Sequence, residues 1–248
     1  MKVYVINLKQ DVQRLAHMQD QLHRLGLEFE RVDAIDGRTM EKAEFAQLVS
    51  ERKGKVTPWM PGQMGCWLSH YKTWEKIAGD KAEYGLVLED DMHLSARMID
   101  FLSSKVWLST DADVVRLEAP NNAVLLGCER GHGVWGSIRD LRSTAWCAGA
   151  YLLRKRTAER IIGWPPSTHM AVDAFLFSRE LSGAARMFFV QQVTPALAIQ
   201  DKYRERGIGL GSNIESIGQV GKDRISLAAL ARKVWRMLSG YRRIGFVE

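Results

Sequence analysis

The stretch "YGLVLEDDMHL", residues 84–94, decides how the rest of the chain is read. Five residues of strand-forming character run directly into Glu89, Asp90 and Asp91. Like charges about 4 Å apart repel by roughly 4 kcal/mol at an effective dielectric near 20. Such a triplet therefore needs open water or a compensating cation. Two readings are open at this point. The triplet is a solvated loop in which one carboxylate caps the following helix, or it is the tip of a buried strand that holds a hard divalent ion through oxygen ligands.

The flanking sequence places this strand in an alternating pattern. "VYVINL" (3–8) is a compact apolar strand, and Asp11 is positioned to cap a helix with apolar positions Leu15, Met18, Leu22 and Leu25. Gly26 is a stop signal. "FERVDAIDG" (29–37) then reads as a second strand ending in a turn. Strand, helix and strand in this order favour a parallel sheet with a right-handed crossover. Helices are expected over 40–52 and 66–78, separated by the Pro/Gly-rich "TPWMPGQMG" (57–65). Further on, the pattern predicts helices over 96–104, 157–162 and 172–181. Strands are expected at "DVVRLEA" (113–119), "TAWCAGAYLL" (144–153) and "RMFFVQ" (186–191), with a hairpin or flap between 120 and 142.

Composition narrows the class. The 248 residues suffice for one substantial α/β domain, and 46% hydrophobic with 26% charged residues is ordinary for a soluble globular chain. No apolar run reaches the roughly 18 residues of a spanning helix. The N-terminus lacks the apolar segment of a secretory signal, so a cytoplasmic location is expected. Cys66, Cys128 and Cys147 are widely spaced and read as small buried thiols, not a disulfide or zinc framework. A net charge of +6 points to an anionic partner. No nucleic-acid-binding signature accompanies it, so nucleic acid is not expected. The segment "ISLAALARKVWRMLSGYRR" (225–243) has an apolar side with Leu227, Leu230, Val234 and Leu238 and a strongly basic remainder. It reads as a separate basic helix over 225–248, either packed on the main domain of 1–224 or resting on an anionic membrane surface.

Taken in order, "VYVINLKQDVQR", "FERVDAIDG", "GQMGCWLSHYKTWEKI", "LVLEDDMHL", "AGAYLLRKRTAERI", "HMAVDAFLF" and "PALAIQD…GLGSNIE" resemble the motif series of glycosyltransferase family 25. This family includes bacterial lipooligosaccharide galactosyltransferases and is similar to collagen galactosyltransferases. The resemblance implies an α/β GT-A-like nucleotide-sugar fold with a mainly parallel central sheet flanked by helices. It also implies an inverting transfer of a hexose, galactose first, from a UDP-sugar to a lipid-linked oligosaccharide of the lipopolysaccharide or lipooligosaccharide core, at the cytoplasmic face of the inner membrane. A protein of the same fold that binds nucleotide or carbohydrate without catalysis is the alternative reading.

On the same resemblance, Asp91 is expected to hold Mn²⁺ or Mg²⁺ with help from Glu89, the two pointing the same way from a strand-like segment. Donor contacts are expected from Asn7, Leu8, Arg14, Ala34, Asp36 and Gly65, from Ser69, His70, Glu89 and Asp90, and from Gln200 and Ser212. Gly149, Tyr151 and His169 are expected to touch the acceptor. Asp173, opening an apolar helix, is the first candidate for the general base, and Asp201 the second. The bland roles of Arg14 as a surface ion-pair partner, Asp36 as a turn residue, His70 as a structural residue and Asp173 as a helix-start charge remain open. Ala171 stands where relatives often carry proline, and Asn213 where they often carry aspartate.

Overall fold

The computed structural model describes residues 1–44, 60–163, 170–211, 235 and 239–248. The expected helix over 40–52 lies mostly outside these residues, as do His169, Ser212, Asn213 and nearly all of the basic segment from 225 to 238.

The first βαβ unit forms as the sequence reads. Strand β1 (Lys2–Asn7) leads to helix α1 (Val12–Arg24), then to β2 (Glu30–Asp33), and β1 and β2 pair in parallel. Gly26 follows the helix with φ +65°, the left-handed conformation that ends it. Helix α2 (Pro61–Gly79) begins five residues before the expected 66. Pro61 occupies the first helical position, where a missing N–H costs nothing, so the Pro/Gly stretch starts this helix instead of breaking it. Strand β3 (Tyr84–Glu89) then pairs in parallel with β1 on the side away from β2.

The remaining strands are β4 (Met92–Leu94), β5 (Val114–Arg116), β6 (Leu126–Gly133), β7 (Gly136–Leu141), β8 (Ala150–Arg154), β9 (Val190–Thr194) and β10 (Ala198–Gln200). Among the described residues, eight strands form one sheet in the order β2-β1-β3-β8-β5-β9-β7-β6, and β10 pairs with β4 in a small second sheet. Following the pairings across, only β8 and β7 run against the other six. The sheet is mixed, with most strands sharing one direction.

Its two faces are both covered, which gives three layers. Tyr4, Ile6, Val87, Tyr151 and Leu153 pack on one face with Trp67, Trp74 and Ile77 of α2, Ile161 of α5 (Lys155–Ile162) and Phe175 of α6 (Val172–Phe177). Val3, Val5, Leu86, Leu88 and Leu152 pack on the other with Met18 and Leu22 of α1 and Met98 and Phe101 of α3 (Met98–Ser104). Neighbouring residues of each strand thus enter opposite cores, as the two-residue period of a strand requires.

Several boundaries differ from the sequence reading. The hairpin β6–β7 lies within the expected 120–142, and α6 stops at Phe177 instead of 181. Residues 183–187 are helix α7 (Gly183–Met187), so the expected strand at 186–191 shifts to β9. Cys128 is exposed, and Cys66 and Cys147 are half-buried, so the thiols are not uniformly core. The end of the chain is no free appendage. Arg242 bridges to Val124, Phe246 bridges to Ala196, and Ile244 is buried.

The start of α2 lies against the turn after β2 without room for a side chain. A Cβ on Gly37 would stand 1.7 Å from the Pro61 carbonyl oxygen, and one on Gly65 would stand 2.3 Å from that of Ile35. Both obstacles are backbone. Gly37→Ala is therefore expected to lower stability by about 2–4 kcal/mol, the range of severe overpacking, in denaturant titration. A loss under about 0.5 kcal/mol would contradict this close approach.

Candidate active site

Glu89 ends β3, and Asp90 and Asp91 form the turn into β4. The expected strand-like alternation is thus replaced by a turn, and the three carboxyls find different surroundings. Asp90 accepts hydrogen bonds from Arg14 Nη1 at 2.8 Å and Asn7 Nδ2 at 2.7 Å. Glu89 accepts from His70 Nε2 at 3.1 Å and from Gln200 Nε2 at 2.9 Å. Asp91 Oδ1 is buried and has no hydrogen-bond partner among the described residues.

The His70 contact belongs to a relay through the core. Trp74 Nε1 donates to the Tyr151 hydroxyl, which lies 2.8 Å from His70 Nδ1. With Trp74 as donor, the Tyr151 proton goes to Nδ1, and the network assigns the remaining ring proton to Nε2, facing Glu89. Tyr151 is fully buried. Its hydroxyl is engaged by Trp74 and His70, so its link to the cleft runs through His70. Gly149 is likewise occupied by backbone pairing: its N–H donates to Glu118 and its carbonyl accepts from the Glu89 N–H.

Electrostatics follow this layout. Burial pushes the Asp91 carboxyl up, and the neighbouring Glu89 charge pushes it further, to about 7. Burial also raises Asp90, against the pull of Arg14. Burial acts on Glu89 in the same sense, but the hydrogen bond from His70, with Lys202 and Gln200, holds it below the usual range. Glu118, which the sequence reading missed, is fully buried, and burial pushes it up to about 8. A charged residue inside an expected apolar strand gave no motif to find it by.

Two open clefts meet here. The first, about 640 Å³ of empty space counting its mouth, is lined by Leu8, Arg14, Ala34 and Asp36, by Ser69 and His70, and by Glu89, Asp90, Asp91, Gln200 and Lys202. Of the expected donor residues, Asn7 and Gly65 stand behind the lining. Asn7 orients Asp90, and Gly65 makes the close helix-to-turn contact. Ser69 Oγ donates to the Gly65 carbonyl and accepts from the Ile35 N–H, fixing the same turn. Asp36 caps that turn and pairs with Arg38, whose guanidinium holds its carboxyl low. Arg14 donates to Asp90 and also to the carbonyls of Leu210 and Gly211, which uses four of its five N–H groups among the described residues.

The second cleft shares Cys66, Glu89, Gln200 and Lys202 with the first and adds Asn121, Cys147, Asp173 and Tyr203. Asp173 is half-buried. Its carboxylate accepts from the Cys147 and Ala174 N–H groups, two of about four acceptor positions. Asp201 is differently placed. It accepts from His93 and from the Ile208 and Leu210 N–H groups. These donors outweigh burial and hold its carboxyl down to about 2. A carboxylate so occupied anchors the 201–211 loop.

For a divalent ion, two donor sets are near the cleft. Cys66, His70 and Glu89 lie within 4.8 Å of one another, but burial holds the Cys66 thiol well above its usual range and both His70 nitrogens are engaged. Asp91 Oδ1 and Gln200 Oε1 are both buried and, among the described residues, without partners. Hard ions take such oxygens, so the residues present fit the group at Asp91.

The raised Asp91 carboxyl has a measurable consequence. Unfolded, it titrates near 3.8, and folded near 7. Between these values the folded protein holds the extra proton, so stability falls as pH rises. Metal-free protein should lose Tm between about pH 4 and 7 more steeply than Asp91→Asn. Parallel profiles would contradict the buried placement.

The sequence model of glycosyltransferase family 25 (LPS biosynthesis protein) matches residues 1–176. The chain is 27% identical over 230 residues to the lacto-N-neotetraose biosynthesis glycosyltransferase LgtB of Neisseria meningitidis serogroup B, covering 87% of this chain and 82% of that protein. It is 28% identical over 186 residues to procollagen galactosyltransferase 1-A of Xenopus laevis, covering 71% and 30%. Among solved structures, S. aureus TarS 1-349 aligns with a TM-score of 0.45 and 12% identity over 81% of this chain and 60% of that one, too distant to carry an argument. With its motifs in order and more than two thirds of its length matched, this chain belongs to glycosyltransferase family 25.

Proposed function

We propose that the protein is an inverting, metal-assisted glycosyltransferase. It moves a hexose, galactose first, from a UDP-sugar to a hydroxyl of a lipopolysaccharide or lipooligosaccharide core acceptor. The observation that carries this reading is the meeting of two clefts at Glu89, Gln200 and Lys202, beside a buried Asp91 oxygen that lacks a partner among the described residues. The names of similar proteins, a lacto-N-neotetraose biosynthesis glycosyltransferase and a procollagen galactosyltransferase, support the sugar and acceptor class.

In this reading the donor occupies the first cleft and the acceptor the second. Asp90, held by Arg14 and Asn7, receives hydroxyl hydrogen bonds from the donor. Asp91, with Glu89 assisting, would hold a divalent ion, which when bound would neutralise diphosphate charge as a Lewis acid. Asp173 takes the proton of the acceptor hydroxyl as that oxygen bonds to the anomeric carbon from the face opposite the leaving group. The carbon–oxygen bond to the diphosphate breaks, and its electron pair stays with the diphosphate. Glu89 stays oriented through His70 and Tyr151, so the wall between the clefts keeps its shape. No helix among the described residues is long and apolar enough to cross a membrane, so an acceptor embedded in a bilayer would be reached from the surface.

A screen of UDP-sugars with Mn²⁺, reading UDP release, tests the reaction. Turnover with UDP-galactose is expected, and no turnover with any UDP-sugar would overturn the reading. Asp173→Asn should lower kcat by about 10²–10⁴ with UDP affinity and Tm little changed. An unchanged kcat would remove Asp173 as the base.

A further inference from the structure

We propose that Lys202 receives the charge of the departing diphosphate, as a catalytic residue at the junction of the two clefts. The inference rests on the donor reading above and assigns its leaving group a protein partner. Of the four residues that line both clefts, Cys66, Glu89, Gln200 and Lys202, only the lysine is cationic.

The first cleft is otherwise hostile to an anion. Asp36, Glu89, Asp90 and Asp91 all line it. Two of them have their own cation, Arg38 on Asp36 and Arg14 on Asp90. Arg14 is further tied to the Leu210 and Gly211 carbonyls. Lys202 is free by comparison. Its ammonium lies 5.0 Å from the centre of the Tyr203 ring and, among the described residues, makes no hydrogen bond or ion pair. Partial desolvation works against its charge, while the neighbouring Tyr203, Asp91, Cys147 and Glu89 groups favour it and raise the ammonium above its usual range, with the side chain still exposed.

Its backbone is fixed while its ammonium is not. Lys202 follows Asp201, whose carboxylate is locked by His93 and by the Ile208 and Leu210 N–H groups. Asp201 is thus a positioning residue for the lysine. A lysine stem carries three rotatable donors and can follow a group whose charge grows. Charge grows at one phosphate here. When the anomeric carbon–oxygen bond breaks, its electron pair remains on the β-phosphate oxygen, which becomes terminal. The anomeric carbon lies where the clefts meet, with the acceptor oxygen on one side, so the β-phosphate, one oxygen away on the donor side, lies beside the Lys202 that lines both clefts. Lys202 donates a charge-assisted hydrogen bond to it and gives up no proton.

Calorimetric titration of wild-type protein, Lys202→Met and Lys202→Arg with UDP and with UMP, in Mn²⁺, separates the outcomes. Lys202→Met should weaken UDP by about 10- to 100-fold and leave UMP, which lacks the β-phosphate, within about threefold of wild type. Lys202→Arg should recover part of the loss. In turnover, Lys202→Met should lower kcat without raising the acceptor KM. Unchanged UDP affinity, or equal losses for UDP and UMP, would overturn the assignment and make Lys202 a screen for the acidic wall. Wild-type protein that binds no UDP would overturn the donor reading and this inference with it.

Discussion

Three adjacent carboxyls at the end of one central strand are the constraint around which this molecule is organised. Left together they would repel one another. The fold gives each different surroundings: Arg14 and Asn7 for Asp90, His70 and Gln200 for Glu89, and none of the described side chains for Asp91 Oδ1. The partners come from β1, α1, α2 and β10, so the layers of the domain converge on one turn.

The same bonds tie distant loops to that turn. Arg14 grips residues 210 and 211 from a helix near the N-terminus. Asp201 holds its own loop closed, and its N–H donates to the Asp91 carbonyl. Glu118 pins the Gly149 N–H while the Gly149 carbonyl receives the Glu89 N–H. A buried acid with a pKa near 8 is neutral at pH 7, which avoids adding a further negative charge beneath the pair Glu89 and Asp91. Burial here serves electrostatics as much as packing.

Much of this was legible in the sequence where a local pattern encodes it. The first βαβ unit follows from apolar periodicity and Gly26, and the acidic strand end is visible in "LEDD" itself. The nine expected donor residues that line the first cleft come from motifs in which side-chain identity is tied to a local turn or strand end. What was not legible depends on long-range contact. Pro61 reads as a breaker until it is seen at the first helical position. The strand expected at 186–191 moved because residues 183–187 pack as a short helix, with Ser182 accepting from the Ala185 N–H. Tyr151 and Asp201 carry plausible chemistry in one dimension, and only three dimensions reveal that their polar atoms are already engaged. Glu118 and Lys202 lack any motif, and their roles arise from neighbours more than 25 residues away.

The central claim is that the tip of β3 holds a divalent ion and, through it, the sugar nucleotide. A crystal of the protein grown with UDP and Mn²⁺, measured for anomalous scattering, tests it most directly. The account predicts a manganese peak within coordination distance of an Asp91 oxygen, about 2.0–2.3 Å, with the diphosphate on its far side near Lys202. Manganese and nucleotide bound away from Glu89 and Asp91 would contradict it.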